Sequence, residues 1–152
     1  MKKRNLSATK RIHKFYIEKL DNPRIKKIYL EFEKNLGKNN SSTFCIAVSG
    51  GIDSMALAFL AKCHSIQTKQ THLYFTVDHR LRNTSTKEAR QTKQQLQKYG
   101  IACDILTWRS NKTYSNLQAK ARENRYNLIF KKSLKNKIHH VLTAHQKNDL
   151  YE

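Results

Sequence analysis

At 152 residues the chain has room for one domain of ordinary size built on a single core. Its 30 Lys and Arg against 11 Asp and Glu give a formal net charge of +19 and a pI near 10.1, a balance that favours a polyanionic partner, nucleic acid ahead of a membrane surface, although the joint abundance of Lys and Asn is also what compositional drift would produce. Cys45, Cys63 and Cys103 are odd in number and widely spaced, which excludes a disulfide framework and a Cys-x-x-Cys metal site, and the absence of a run of roughly 20 apolar residues or of a signal peptide completes the expectation of a soluble cytoplasmic protein without membrane partners.

In chain order, residues 1–11 are polar and basic with nothing to bury, and residues 1–23 are expected to form a basic N-terminal arm. Ile25, Ile28, Tyr29, Phe32 and Leu36 then recur at helical spacing, with Lys26, Lys27, Glu31, Glu33 and Lys34 on the other side and Gly37 as the stop. After a polar linker, residues 43–48 read as a short buried strand that runs into Ser49-Gly50-Gly51, and residues 55–61 as a helix apolar on every side. The alternation repeats. Residues 71–77 form a second strand, Ser85 with Glu88 resembles a capping box for a helix reaching about Tyr99, and Gly100 ends it. Residues 101–108 form a third strand, Ser115 with Gln118 a second capping box for a helix to about Leu134, and residues 138–144 a fourth strand.

Strands alternating with helices of this length imply parallel pairing through crossovers, hence an α/β fold with an open, mostly parallel, doubly wound sheet. Such sheets usually have about five or more strands. With four strands before Glu152, residues 24–152 read as part of a nucleotide-binding catalytic domain that is incomplete at the C-terminus, and turnover is expected to need a further C-terminal portion.

A glycine pair between a buried strand and a helix start lets backbone approach a phosphate, and the first-turn amides supply donors and a positive dipole end. Ser49 and Ser54 add hydroxyls. Asp53 would repel a phosphate unless a divalent cation stood between them, as with Mg²⁺ and ATP; the structural alternative is that Asp53 caps its helix and the glycines make a tight turn. The whole string Ser49-Gly50-Gly51-Ile52-Asp53-Ser54 resembles the Ser-Gly-Gly-x-Asp-Ser loop of the ATP pyrophosphatase superfamily, whose members cleave ATP to AMP and pyrophosphate.

Further segments narrow the resemblance: Val77-Asp78-His79-Arg80-Leu81-Arg82, then Asn116 through Tyr126 with Arg122 and Arg125, then Thr143-Ala144-His145 with Asn148-Asp149. With the loop they resemble the tRNA(Ile)-lysidine synthetase family over about residues 24–152. The resemblance implies an adenine nucleotide alpha hydrolase-like fold and a ligase in which ATP adenylates the ring carbonyl oxygen of the wobble cytidine of tRNA(Ile), after which the amine of free L-lysine displaces AMP to form lysidine. It also implies that Ser49, Gly50, Gly51, Ile52, Asp53 and Ser54 hold the pyrophosphate, that Asp53 handles Mg²⁺, that Arg122 meets phosphates or developing charge, and that His79 lies near the nucleotide. A guanidinium fork suits the role given to Arg122, and Arg125 lies three residues on.

His145 falls just past a strand end, the edge where open α/β sheets bind ligands. Here the chain departs from the family's His-His-x-Asp-Asp-Gln pattern: it has His145-Gln146-Lys147-Asn148-Asp149-Leu150, keeping one His and one Asp, and losing a base there would slow deprotonation of the lysine amine. Rival readings are a non-catalytic, basic nucleic-acid-binding remnant and a pyrophosphate-loop tRNA thiolase, the latter lacking its usual paired cysteines. No zinc set can be drawn around His79 or His139-His140. On charge alone, tRNA binding is expected to be strong at low salt, largely non-specific, and steeply weakened between about 50 and 200 mM salt; a filter-binding series showing no salt dependence would mean that the charge is not used in this way.

Overall fold

The computed structural model describes residues 4–40, 42–108 and 117–144. It holds helices α1 (Arg4–Leu20), α2 (Pro23–Leu36), α3 (Ile52–Thr68), α4 (Ser85–Lys98) and α5 (Leu117–Lys135), and strands β1 (Cys45–Ala47), β2 (Leu73–Asp78), β3 (Cys103–Thr107) and β4 (Val141–Thr143). The strands pair in the order β3-β2-β1-β4, every pair parallel. This is the expected doubly wound α/β sheet, with strands shorter than the apolar runs that announced them.

Alternation along β1 explains why its run is apolar on both sides. Phe44, Ile46 and Val48 join one core cluster with Ala58 and Ala61 of α3 and Leu96 of α4, whereas Cys45 joins a second cluster with Phe75, Val77 and Ile129 of α5. The chain steps outward from β1 through β2 to β3 and then returns across the sheet to β4. Because parallel crossovers keep one hand, this reversal puts α5 on the opposite face from α3 and α4. It also opens a switch point between β1 and β4, at whose C-terminal edge ligands bind in such sheets.

The basic-arm expectation is corrected where the structure describes that segment. Arg4–Leu20 is helix α1, held by Ile12, Phe15, Tyr16 and Leu20, an amphipathic stripe at three-and-four spacing that the surrounding cations masked. Tyr16 is fully buried and donates its hydroxyl to the Tyr99 carbonyl at 2.9 Å. α2 starts before Ile25: Asn22 caps it, its side-chain oxygen accepting from the Arg24 and Ile25 amides at 3.0 and 3.3 Å, with Pro23 in the first turn. Ile28, assigned to the apolar face, is exposed, while Tyr29 and Leu36 are buried.

The first capping box is also corrected. Ser85 is the first helical residue rather than the cap, and its hydroxyl accepts from the Arg82 amide at 3.2 Å, bracing the loop after β2. Ser115 lies outside the described residues. All three cysteines are buried and unpaired, and none of the described helices is long and apolar enough to cross a membrane.

A polar chain runs through the core under β1. The Phe44 amide donates to Nδ1 of His72 at 3.1 Å, so Nε2 of His72 carries the proton and donates to Nδ1 of His64 at 2.9 Å; Nε2 of His64 then donates to Asn40, 2.7 Å from its carbonyl and 2.8 Å from its side-chain oxygen. Every ring nitrogen is satisfied only while both rings are neutral. Burial, the neighbouring His64 and Lys62 push His72 down from 6.5 to about 4. Between those values the unfolded chain takes a proton that the native chain refuses, so this contribution is present above pH 6.5 and is lost as pH falls toward 4, at up to about 1.4 kcal/mol per pH unit. Urea denaturation should show a declining stability across that window in the wild type and a flatter decline in His72→Gln.

Candidate functional site

The glycine loop leaves β1 at the switch point. Gly50 adopts φ +90, and a Cβ there would strike the Thr92 hydroxyl of α4, so both the backbone conformation and the space demand glycine. Gly51 is the N-cap of α3 and contributes no side-chain cap, which leaves the start of a 17-residue helix open to an outside acceptor. Ile52 is 89% exposed, so its side chain contributes nothing to the core. Asp53 stands in the exposed first turn.

The serines behave differently from simple ligand donors. The buried Ser54 hydroxyl donates to the Gly51 carbonyl at 2.9 Å and accepts from the Ser49 amide at 3.2 Å and the Ser49 hydroxyl at 3.1 Å. Ser54 therefore braces the loop, tying the end of β1 to the start of α3, while Ser49 is exposed.

Beside the loop lies a cavity of about 220 Å³ whose walls include Ser49, Ser54, His79, Arg82, Glu88 and Arg125. Phe75 and Thr76 of β2, Tyr126 of α5 and Thr143 of β4 close its floor and sides. Thus loop, second-strand segment, α5 and β4 end, far apart in sequence, meet at one sheet edge. His79 is held there by the turn at Asp78, a buried carboxylate that accepts from the Arg80 amide at 3.0 Å and the Thr86 hydroxyl at 2.7 Å.

Nδ1 of His79 is buried and has no hydrogen-bond partner among the described residues. Burial lowers the affinity of this ring for a proton, and the Arg125 guanidinium lowers it further against the opposing pull of Asp78. The imidazole is accordingly neutral at neutral pH, in a ring that lines the cavity while its Nδ1 is sealed from solvent.

Arg125 lines the cavity and lies 5.5 Å from the Tyr126 ring centroid. Arg122 does not contribute to the walls; it sits on the α5 face of Tyr126 and Ile129, one turn nearer the helix N-terminus. His145 and Asp149 lie outside the described residues, as do Ser115 and Asn116. Arg82, Glu88, Tyr126 and Thr143 are wall residues to which sequence reasoning assigns no role. Three of them fall inside the segments that carry the family resemblance, and Glu88 reads from spacing as a capping residue.

Among the described residues, no group of three or more His, Cys, Asp and Glu is placed to hold a metal ion. Any cation at the loop would take Asp53 as its protein ligand and fill its remaining positions with ligand oxygens and water, the pattern Mg²⁺ tolerates.

Two comparisons bear on this arrangement. The PP-loop domain family model matches residues 22–152. Curated relatives include the tRNA(Ile)-lysidine synthase of Anaplasma marginale, 34% identical over 113 residues that make up 74% of this chain and 24% of the relative. That of Bradyrhizobium diazoefficiens is 39% identical over 109 residues, 70% of this chain and 30% of the relative. The probable tRNA(Ile)-lysidine synthase of Schizosaccharomyces pombe is 39% identical over 113 residues, 70% of this chain and 25% of the relative. The chain thus matches about a quarter of the length of these relatives.

Gly50→Ala should destabilise the protein by roughly 1–3 kcal/mol through the positive φ alone, with the Thr92 collision added. Combining it with Thr92→Ala should recover the steric share and leave the conformational share, a partition that urea denaturation of the single and double variants reads directly.

Proposed function

Because the chain belongs to the PP-loop domain family, we propose that it is the ATP-binding part of a ligase joining free L-lysine to the wobble cytidine of tRNA(Ile) through an adenylated intermediate. The carrying observation is the loop itself: a helix start without a side-chain cap and a glycine whose Cβ position is closed by Thr92, at the switch point of a parallel sheet, beside a cavity lined by His79, whose Nδ1 has no hydrogen-bond partner among the described residues. The name shared by the curated relatives supplies the acceptor class.

In this reading the nucleotide divides between two places. The cavity is smaller than the roughly 300–1,000 Å³ of whole small-molecule sites, so it takes the adenosine end while the phosphates lie over the exposed loop. His79 lines the cavity beside the bound group. The first-turn amides of α3 after Gly51, whose own amide is given to the Ser49 hydroxyl at 3.4 Å, face the β- and γ-phosphates, and Arg125 and Arg122 supply positive charge from α5.

The chemistry balances without a redox partner. The ring carbonyl oxygen of cytidine attacks the α-phosphorus and pyrophosphate leaves. The lysine amine then attacks the activated ring carbon, loses a proton, and AMP departs. Positive charge at the loop stabilises the leaving pyrophosphate in the first step, and Mg²⁺ held by Asp53 would neutralise its oxygens further. His145 and Asp149 are assigned, by the resemblance alone, to the amine's proton. Intracellular, cytoplasmic action with tRNA(Ile) as the macromolecular partner belongs to the same proposal.

The thiolase alternative finds no support in the cysteines. Burial pushes the Cys63 thiol up to about 12 and that of Cys103 up to about 11, and raises Cys45 as well. Groups so disfavoured as thiolates make poor sulfur carriers.

Calorimetry should detect Mg²⁺-dependent ATP binding by the wild-type chain, and Asp53→Asn should abolish pyrophosphate release in an exchange assay with tRNA and lysine while its melting curve stays unchanged. An Asp53→Asn variant that exchanges pyrophosphate as fast as the wild type would remove Asp53 from the role given to it.

A further inference from the structure

α1 precedes residue 22, where the family match begins, and it builds a surface that the ATP site does not use. Its docking is rigid. Tyr16 is fully buried against Phe59, the rings 5.1 Å apart, and its hydroxyl bonds the Tyr99 carbonyl at 2.9 Å. Ile12 fills the space where a Cβ at Gly100 would lie, and Gly100 holds φ +68. Phe15 meets Tyr16 edge-on at 5.3 Å and Tyr99 at 6.1 Å.

These contacts leave a hollow of about 280 Å³ between α1 and the end of α4, walled by Arg11, Ile12, Phe15, Lys98 and Tyr99. The wall holds two cations and no carboxylate, and neither cation forms an ion pair among the described residues. Tyr99 is 47% exposed, yet its backbone is clamped from both sides, its amide donating to the Leu96 carbonyl at 3.0 Å and its carbonyl accepting from Tyr16. Lys19 lies 5.6 Å from the Phe15 ring centroid, extending the cationic rim.

Two like charges lining one hollow favour an anion between them, and a half-exposed aromatic ring lines the hollow with them. Phosphate-binding cations flanking a stacking platform are the two parts of a single-strand nucleic-acid site. An acidic peptide would have no use for the ring.

We propose that the hollow between α1 and α4 is an RNA contact separate from the ATP cavity, in which Tyr99 stacks on an unpaired base while Arg11 and Lys98 hold the flanking phosphates. RNA rather than DNA is chosen because the curated relatives of this chain carry tRNA in their names. The proposal stands whether or not the ATP loop is used.

The test is fluorescence anisotropy with the whole chain and a single-stranded RNA of about 12 nucleotides, within the usual span of such sites. Arg11→Glu with Lys98→Glu should weaken binding at least about tenfold and reduce the slope of log affinity against log salt by about 1.4, two phosphates at roughly 0.7 each. Tyr99→Leu should weaken it by about 5- to 100-fold with the slope unchanged, as loss of a stacked base requires. Lys132→Glu with Lys135→Glu on α5, an equal change in net charge, should retain most of the affinity, and ATP binding should be the same in every variant. Melting curves verify folding, and Arg11→Gln with Lys98→Gln replaces the charge reversal if that variant melts early. The proposal is overturned if Tyr99→Leu binds RNA like the wild type, if the α5 pair loses as much as the α1–α4 pair, or if a DNA strand of the same sequence or phosphatidylserine vesicles bind the hollow more tightly than RNA.

Discussion

At the end of β1 the backbone turns from strand to helix at Gly50, with φ +90 and the Thr92 hydroxyl pressed against the position of the missing side chain. That contact couples the loop to α4, whose inward stripe of Ser85, Ala89, Thr92 and Leu96 reaches from the cavity wall to the core. The Ser54 hydroxyl closes the other side by joining β1 to α3. A loop held from strand, helix and neighbouring helix at once is ordered before a ligand arrives, so binding need not meet the entropy of arranging it. The tightness that demands glycine is therefore the same tightness that fixes the shape of the loop.

The cavity beside the loop follows from topology. A sheet that grew only outward from β1 would have its helices on one face and no gap at the C-terminal edge. By returning to the far side of β1, the chain parts the helices there, and the residues following β1 and β2, the β4 end and the middle of α5 converge. The two core clusters serve this arrangement by burying both faces of strands only three to six residues long. Strands so short contribute few ladder hydrogen bonds, and their positions rest on side chains such as Phe44, Ile46 and Phe75 that are sealed from solvent.

The parallel sheet and the loop were legible because both leave local marks: apolar runs of strand length, a glycine pair at a strand-to-helix junction, and helices between them. What escaped was non-local or disguised. The amphipathic stripe of α1 is interrupted by Lys10, Arg11, His13 and Lys14, so composition concealed periodicity. Ser85 and Glu88 satisfy the capping-box spacing, yet Thr84 takes the cap position and Ser85 is spent on the Arg82 amide. The Thr92 contact joins residues more than forty positions apart, and no spacing rule reports it. For the cavity, the sequence marked the right segments but not the facing side chains: α5 turns Arg125 and Tyr126 into the wall and leaves Arg122 a turn beyond it.

The charge distribution gives Asp53 its meaning. Among the described residues, Arg82 and Arg125 line the cavity against one wall carboxylate, Glu88, His79 is kept neutral there, and the start of α3 adds the positive end of a helix. Nearly every feature of the edge thus attracts an anion, within a chain of formal charge +19. Asp53, in the exposed first turn of that helix, works against the rest if the ligand is a bare phosphate. Gly51 already takes the N-cap position, so Asp53 lies inside the first turn, where the helix dipole favours a carboxylate by only about 0.3–1 kcal/mol. A carboxylate is required only if a divalent cation joins it to the phosphates, and the two readings separate at Asp53→Asn: the helix start loses only that small dipole contribution, whereas a Mg²⁺ ligand loses the charge on which its affinity depends.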